Sequence, residues 1–141
     1  RLMDADRQQQ LFERYPQIFQ ERSLPIAESG MGRGIETGNG WFHLIDTLCA
    51  RLQRETDLDR APQVIATQIK EKLGGLCFYS SNTNTERQQA MIDLACALSR
   101  CICDVCGAPG SLLSLDQRCT NLRPAFLATR CPAHAVRRHL L

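Results

Sequence analysis

Two short segments decide how the C-terminal third of this chain folds: Cys-Asp-Val-Cys-Gly at 103–107 and Cys-Pro-Ala-His at 131–134. Two residues between paired donors allow one tight turn to direct both at a single ion, and Gly107 relieves crowding behind the first pair. Zinc accepts sulfur and imidazole nitrogen in a tetrahedron, which four protein ligands fill. The spacing therefore predicts a structural zinc site, closed to water and substrate, with these ligands: Cys103, Cys106, Cys131 and His134.

Other donors leave the exact ligand set open, because Cys101, Cys119 or His139 could replace one of the four. A single Cys-x-x-Cys pair could also be a redox pair, but the βαβ context expected around it is missing. The eight cysteines could instead form disulfides in a secreted protein. The long amphipathic helices predicted below favour a reducing cytoplasm.

Two amphipathic helices are predicted in the first half of the chain. Apolar spacing predicts a helix over 4–20, which Pro16 should divide because proline lacks a backbone donor. Residues 23–40 are expected to form a glycine-rich loop. Asn39 is then expected to cap a second helix over 41–55.

A hairpin and a third helix follow. β-branched residues predict a hairpin over 63–81, in which Val64 and Ile65 begin opposite faces and Gly74-Gly75 supplies the positive φ angles of the turn. Thr85 and Gln88 have capping-box spacing for the third helix. Its apolar face is predicted to consist of Met91, Leu94, Ala95, Leu98 and Ile102.

The predicted fold class is α+β, with helices packed on a β-hairpin or small antiparallel sheet and a C-terminal Cys3His zinc knuckle. Short strands are expected over 112–115 and 126–129, and a final helical turn over 133–140. The length of 141 residues fits a single domain, 1–141. Within it we distinguish an N-terminal helical segment (1–22), an α/β core (38–101) and a zinc-knuckle subregion (102–141).

Charge is unevenly distributed along the chain. Residues 1–99 carry 11 Lys/Arg against 13 Asp/Glu, a net of −2, whereas residues 100–141 carry 6 against 2, a net of +4. A basic end beside the metal motif is a mild hint of an anionic partner such as nucleic acid, and a solvated arginine-rich surface is the simpler explanation. The candidate binding residues are Arg118, Arg123, Arg130, Arg137 and Arg138, with Lys70 and Lys72 near the hairpin turn.

Three segments also occur in a familiar order: Gly40-Trp41 with Leu44-Ile45 and Leu48-Cys49, then Gln-Ile-Lys-Glu-Lys-Leu-Gly-Gly-Leu at 68–76 with Phe78-Tyr79, and then the two halves of the metal motif. Together they resemble a family of small, largely uncharacterised proteins from bacteriophages and prophage regions. The resemblance covers about residues 38–135 and implies a zinc knuckle and a bacterial cytoplasmic setting, but no established activity. The chain departs from the family at Cys77, where an arginine is expected.

Three functions are compatible with these features. The first is a non-enzymatic accessory protein that binds a host protein or nucleic acid, for example as an inhibitor or in an anti-defence role, using the basic end or the exposed hairpin turn. The second is a small hydrolase or nuclease that uses His43 and Asp46, with Glu36 nearby. The third is a structural module of a larger assembly. We expect no membrane partner, because the apolar runs are too short to cross a bilayer. We expect no small-molecule cofactor, because Gly30, Gly32 and Gly34 lack the preceding strand and the spacing of a phosphate-binding loop.

Overall fold

Helices and small sheets share the part of the chain that the computed structural model describes, residues 1–81, 83–114 and 127–135. The fold class is α+β, as the sequence predicts. The helices are α1 (Ala5–Arg14), α2 (Phe42–Asp57) and α3 (Glu86–Ser99); the strands are β1 (Ile35–Glu36), β2 (Ala66–Lys72), β3 (Gly75–Ser80), β4 (Ser111–Ser114) and β5 (Leu127–Arg130). Two short 3₁₀ turns, Gly30–Arg33 and Asn39–Trp41, flank β1. No helix in the described ranges is long and apolar enough to span a membrane.

The end of α1 agrees with the sequence prediction, but the start of α2 does not. Tyr15 caps the C-terminus of α1 directly before Pro16. Asn39 does not cap α2: its amide donates to the Asp4 carboxylate at 2.8 Å, and its Oδ1 accepts the Asp4 N–H at 2.9 Å. The capping prediction was wrong because Asn39 bonds the residue before α1, 35 positions away, and α2 begins after a 3₁₀ turn instead.

The main sheet is mixed, with strand order β1-β2-β3. β2 and β3 form the predicted antiparallel hairpin. β1 lies in the region predicted as loop and pairs with β2 in parallel, placing Ile35 opposite Ile69. Both isoleucines are fully buried. The hairpin is antiparallel, as predicted, and burial of Ile35 adds a parallel two-residue strand from the segment predicted as loop.

The hairpin differs from the prediction in two ways: which residues have positive φ in the turn, and which side chains of β2 face the core. The residues with positive φ are Leu73 (51°) and Gly74 (82°), whereas Gly75 opens β3 opposite Lys72. A register shift between Ala66 and Gln68 inserts a bulge, which changes the side-chain parity. Ala66 and Ile69 are consequently both buried, although strict alternation would place them on opposite faces.

The capping box of α3 is confirmed: the Thr85 hydroxyl accepts the Gln88 N–H, and the Gln88 side chain accepts the Thr85 N–H. The predicted apolar face is wrong for two of its members, because Leu94 is 61% exposed and Leu98 is 45% exposed. The helix instead turns a different face to the core, formed by Gln88, Ile92, Ala95 and Ser99.

Two buried polar side chains explain this rotation of α3. The Gln88 amide donates to the Pro62 carbonyl at 2.7 Å, and the Ser99 hydroxyl accepts the Leu76 N–H at 2.9 Å. Leu76 lies on β3, the edge strand of the sheet, whose free backbone donors need a partner. Polar bonds to neighbouring backbone thus fix which face of α3 is buried. The core that it joins is built around Leu11, Phe19, Ile35, Trp41, Ile45, Leu52, Ile69 and Phe78.

Candidate metal centre

The first half of the metal motif forms a tight backbone loop, here called the knuckle (residues 103–107). The Cys103 N–H donates to the Ala108 carbonyl at 2.8 Å, and the Gly107 N–H donates back to the Cys103 carbonyl at 2.9 Å. Gly107 has φ of +79°, a conformation that favours glycine. This folding aims the Cys103 and Cys106 sulfurs at one point, as their spacing predicts.

The second half of the motif follows β5 directly. β4 and β5 pair antiparallel, with Leu113 opposite Ala128, which confirms two short strands near the motif. After β5 the chain turns, and the His134 N–H donates to the Cys131 carbonyl at 3.0 Å. The turn brings the imidazole back over the sulfur of Cys131. The two-stranded β4–β5 ribbon therefore carries the second pair of donors to the knuckle.

The four donor atoms form a compact cluster in which all lie within 4.8 Å of one another. The Cys106 and Cys131 sulfurs are 3.7 Å apart, and His134 Nδ1 is 3.7 Å from the Cys103 sulfur and 3.2 Å from the Cys131 sulfur. Zinc–sulfur bonds of about 2.3 Å in a tetrahedron place ligand atoms about 3.7 Å apart. A disulfide needs about 2.0 Å, so these distances fit a shared metal ion and not a disulfide.

Of the three competing donors, Cys101 lies in the described part of the chain. Cys101 is exposed and lies outside the cluster. Cys119 and His139 lie outside the described residues. Within the part of the chain that the structure describes, the cluster has the composition that the sequence predicts, three cysteines and one histidine.

The protonation of the thiols also fits a cation. Burial raises the pKa of the Cys103 thiol. Hydrogen bonds from the N–H groups of Cys131, Cys106 and Val105 and from the Cys131 side chain have the opposite and larger effect, and the net result is a pKa of about 6. At Cys106 the Ala108 N–H lowers the thiol pKa, yet partial burial and the neighbouring Cys131 and Cys103 thiols together raise it above its ordinary value. Crowded thiolates repel one another, and a bound divalent cation removes this conflict.

A buried ion pair lies directly behind the cluster. The Asp104 carboxylate is 2.6 Å from Arg130 Nε and 3.8 Å from the Arg1 guanidinium. The Nε–H is not aligned for a hydrogen bond, so the close contact is an ion pair. The Asp104 N–H donates to the Thr129 carbonyl at 3.0 Å, so the pair links the knuckle to β5. The Arg130 side chain is only 17% exposed, and this placement removes it from an exposed phosphate-binding surface.

Residues 38–40, Gly-Asn-Gly, pack against the knuckle backbone, and we call them the glycine strap. The Gly40 N–H donates to the Asp104 carbonyl at 2.9 Å. A Cβ at Gly40 would lie 2.7 Å from the Gly107 nitrogen and closer still to the Cys103 carbonyl oxygen. The next residue, Trp41, is fully buried and donates its indole N–H to the Ile102 carbonyl at 2.9 Å. The start of α2 is therefore fixed to the metal centre by backbone contact.

The hairpin turn, Leu73-Gly74, is fixed to the other side of the metal region. The buried Thr129 hydroxyl of β5 donates to the Gly74 carbonyl at 2.7 Å. A Cβ at Gly74 would clash with Leu112 of β4. Leu73 is 62% exposed, in agreement with the expected exposed turn, but Gly74 is buried. The turn joins the hairpin to the β4–β5 ribbon.

Two further candidate binding residues lie on the main sheet. Lys70 and Lys72 lie on β2, Lys70 half-buried and Lys72 exposed. The other arginines proposed for phosphate contact lie outside the described residues: Arg118, Arg123, Arg137 and Arg138.

Of the residues suggested for hydrolysis, Asp46 joins two helices. Asp46 accepts a hydrogen bond from the Tyr15 hydroxyl at 2.6 Å and one from Arg14 at 2.9 Å, which fixes α1 on α2. Within the described ranges no hydrogen bond joins His43 to Asp46; His43 is exposed with its ring against Phe42. Glu36 lies on β1 opposite Lys70.

Sequence reasoning missed the contacts that make the metal region part of the main fold. Their signal was the position of the glycines, next to Trp41 and in the hairpin turn, where the backbone must approach closely. Comparison of the chain with protein-family models, curated proteins and solved structures finds no match.

Proposed function

We propose that the four donors bind one zinc ion in a structural role, and that the chain is a non-enzymatic, zinc-stabilised binding protein. The observation that carries this proposal is the cluster of three sulfurs and one imidazole nitrogen within 4.8 Å. Four protein ligands fill the zinc tetrahedron, so the ion would have no open position for catalysis.

The site lies where structural zinc would have the greatest effect. Structural zinc contributes roughly 10–16 kcal/mol of apparent binding energy, comparable with the total stability of a domain at about 5–15 kcal/mol. The knuckle contacts the glycine strap, and the ribbon that carries Cys131 contacts the hairpin turn. One ion would thus stabilise the junction of three chain segments.

Metal content tests this part of the proposal. Protein purified without chelator should contain one zinc per chain by mass spectrometry, and cobalt substitution should give the absorption bands of a tetrahedral thiolate site. Cys131→Ser should lose the metal, whereas Cys101→Ser, which removes an exposed thiol outside the cluster, should retain it. A metal content near zero in carefully prepared native protein would refute the structural zinc.

For the partner, we propose a protein that inserts an amphipathic helix between α2 and α3. The α2–α3 groove is apolar, and the exposed Leu94 and Leu98 form one wall. Its other apolar residues are Leu44, Leu48, Met91 and Ala95. Neighbouring leucines left in water on one helix face mark interaction sites more often than isolated ones do. Helix-in-groove binding is a common solution for such a surface.

Charge at the groove indicates what the helix should carry. Arg51 lines the groove, is exposed, and has no ion pair or hydrogen bond among the described residues. An acidic side chain beside the apolar face of the incoming helix would pair with it. The preferred occupant is therefore an apolar helix with an acidic flank, and not a nucleic acid, whose phosphates would find an apolar floor there.

Paired variants test the groove. Leu98→Glu should abolish capture of a partner from bacterial lysate, whereas Leu58→Glu should not, because Leu58 is equally exposed (46% against 45%) but lies outside the groove. Capture should survive nuclease treatment. Capture that is lost with nuclease, or that weakens steeply with salt in both variants alike, would assign the partner to nucleic acid bound by the basic end.

The resemblance to phage and prophage proteins suggests that this partner is a bacterial host protein in the cytoplasm, with inhibition as the outcome. A role as an inert module of a larger assembly would leave the groove variants without effect on any capture. The hydrolase alternative would have to use an Asp46 carboxylate that already accepts hydrogen bonds from Tyr15 and Arg14.

A further inference from the structure

A cavity of about 490 Å³ opens beside the metal centre. Its apolar walls include Phe42, Ile102 and Val105, and its polar lining includes Arg7 and His43. Cys106 of the knuckle also lines it. A cavity of this size admits small molecules and places them against one of the metal ligands.

The three sulfur ligands differ strongly in exposure. Cys103 is fully buried and Cys131 is 5% exposed, whereas Cys106 is exposed. A small reagent that enters the cavity therefore meets the Cys106 sulfur before either of the others. Thiol oxidation follows thiolate character and access, and a metal-bound cysteine is a thiolate.

A second thiol is placed to complete an oxidation that starts at Cys106. The Cys131 sulfur lies 3.7 Å away, on the buried side of the cluster. A disulfide between them needs an approach to about 2.0 Å, which a bound ion between the sulfurs would prevent. Cys101, which is also exposed, lies outside the cluster.

We infer that Cys106 is an oxidation site for hydroperoxides, that Cys131 is its resolving thiol, and that the product is a Cys106–Cys131 disulfide with release of the metal. The inference rests on the proposed zinc centre. The Cys106 thiolate attacks one peroxide oxygen, the O–O bond breaks, and a sulfenic acid and hydroxide (or alkoxide) form. The Cys131 thiolate then attacks the Cys106 sulfur and expels hydroxide. Two thiolates are oxidised by two electrons, and one peroxide is reduced.

Loss of the ion would also affect segments that contact the four ligands. The knuckle holds the glycine strap through the Gly40 N–H, and β5 holds the hairpin turn through Thr129. Oxidation at Cys106 would therefore loosen both contacts and change the surface that α2 presents. Reduction by a thiol, followed by zinc, would restore them.

The experiment treats zinc-loaded protein with hydrogen peroxide and follows zinc release with a chromogenic chelator. Zinc content is measured first, because protein without zinc would refute the structural centre before oxidation is tested. Peptide mapping then locates the disulfide. We expect one zinc released per Cys106–Cys131 disulfide, and the same result in Cys101→Ser. Cys131→His, which keeps a metal-binding side chain, should accumulate a sulfenic acid at Cys106 that dimedone traps.

Two results would overturn the inference while leaving the zinc centre intact. One is zinc retention at peroxide concentrations that already oxidise Cys101. The other is a disulfide in the wild-type protein that excludes Cys106 or joins it to Cys103. If Cys131→His fails to hold zinc, brief peroxide treatment of the wild-type protein with dimedone present makes the same test, since label on Cys103 in place of Cys106 would contradict the order of attack.

Discussion

Replacing Gly40 with alanine tests whether the metal centre and α2 are joined by backbone contact. The new Cβ would stand 2.7 Å from the Gly107 nitrogen and closer to the Cys103 carbonyl oxygen, whereas ordinary contact begins at 3.4 Å. Both neighbours are backbone atoms of the knuckle, so no side chain can rotate away. The strap and the knuckle must separate.

The cost follows from two contributions. Overpacking a tight site costs about 1–3 kcal/mol. Separation also weakens the hydrogen bond from the Gly40 N–H to the Asp104 carbonyl, 2.9 Å long, which contributes about 0.5–1.5 kcal/mol. We therefore expect Gly40→Ala to lower the free energy of unfolding by about 2–4 kcal/mol, with zinc affinity reduced as well because the knuckle is distorted.

Gly75→Ala is the matched control. Its Cβ would meet only the end of the Arg100 side chain at 2.9 Å, which can move. Neither glycine has φ in the left-handed region, so backbone strain does not separate the two variants. Gly75→Ala should be neutral or stabilise by up to about 1 kcal/mol through the unfolded chain. Chemical denaturation of the zinc-loaded variants measures both values. Equal stabilities for the two variants would refute the close contact between strap and knuckle.

Three further outcomes are expected. Thr129→Val should lower the free energy of unfolding, measured in urea, by about 1–3 kcal/mol, because it leaves the buried Gly74 carbonyl without its donor. Thr129→Ser should restore most of the loss. An unchanged free energy of unfolding in Thr129→Val would contradict this. Chelation of the metal should remove the hydrogen-exchange protection of the Gly40 amide together with that of the knuckle, while the centre of α2 stays protected; unchanged exchange at Gly40 after verified metal removal would disprove the coupling. Burial, with a smaller contribution from the Asp46 carboxylate, raises the pKa of the Cys49 thiol, so this thiol remains neutral in mildly alkaline solution. It should resist a disulfide reagent that labels the exposed Cys101 at once. Equal labelling rates would show that Cys49 is accessible.

The helix predictions succeeded where the determinant was local and failed where it was distant. Pro16 and the Thr85–Gln88 capping box act within one helical turn, and both were correct. The buried face of α3 was wrong because spacing alone favours Leu94 and Leu98. The buried alternatives are chosen by hydrogen bonds from Gln88 to Pro62 and from β3 to Ser99, which span 26 and 23 residues.

The strand predictions show the same division. β-branched residues indicated the hairpin, but the bulge between Ala66 and Gln68 changes which residues face the core. The parallel pairing of Ile35 with Ile69 has no local sequence signal, because a two-residue strand is defined only by its neighbour. Long-range packing decided both features.

By itself, the sequence predicted the four donors of the candidate cluster, since two donors separated by two residues can reach one ion through a local turn. Only the structure showed that Cys101 lies outside it. The sequence also determined the α+β class through helical and strand periodicity. The tertiary structure alone decided that the cluster is joined to the rest of the fold: Gly40 lies on the knuckle, and Gly74 lies under Thr129 of the strand that leads into Cys131. These contacts join residues 55 or more positions apart. A glycine has no side chain, so its identity does not indicate which distant segment packs against it. That approach is visible only once the chain has folded.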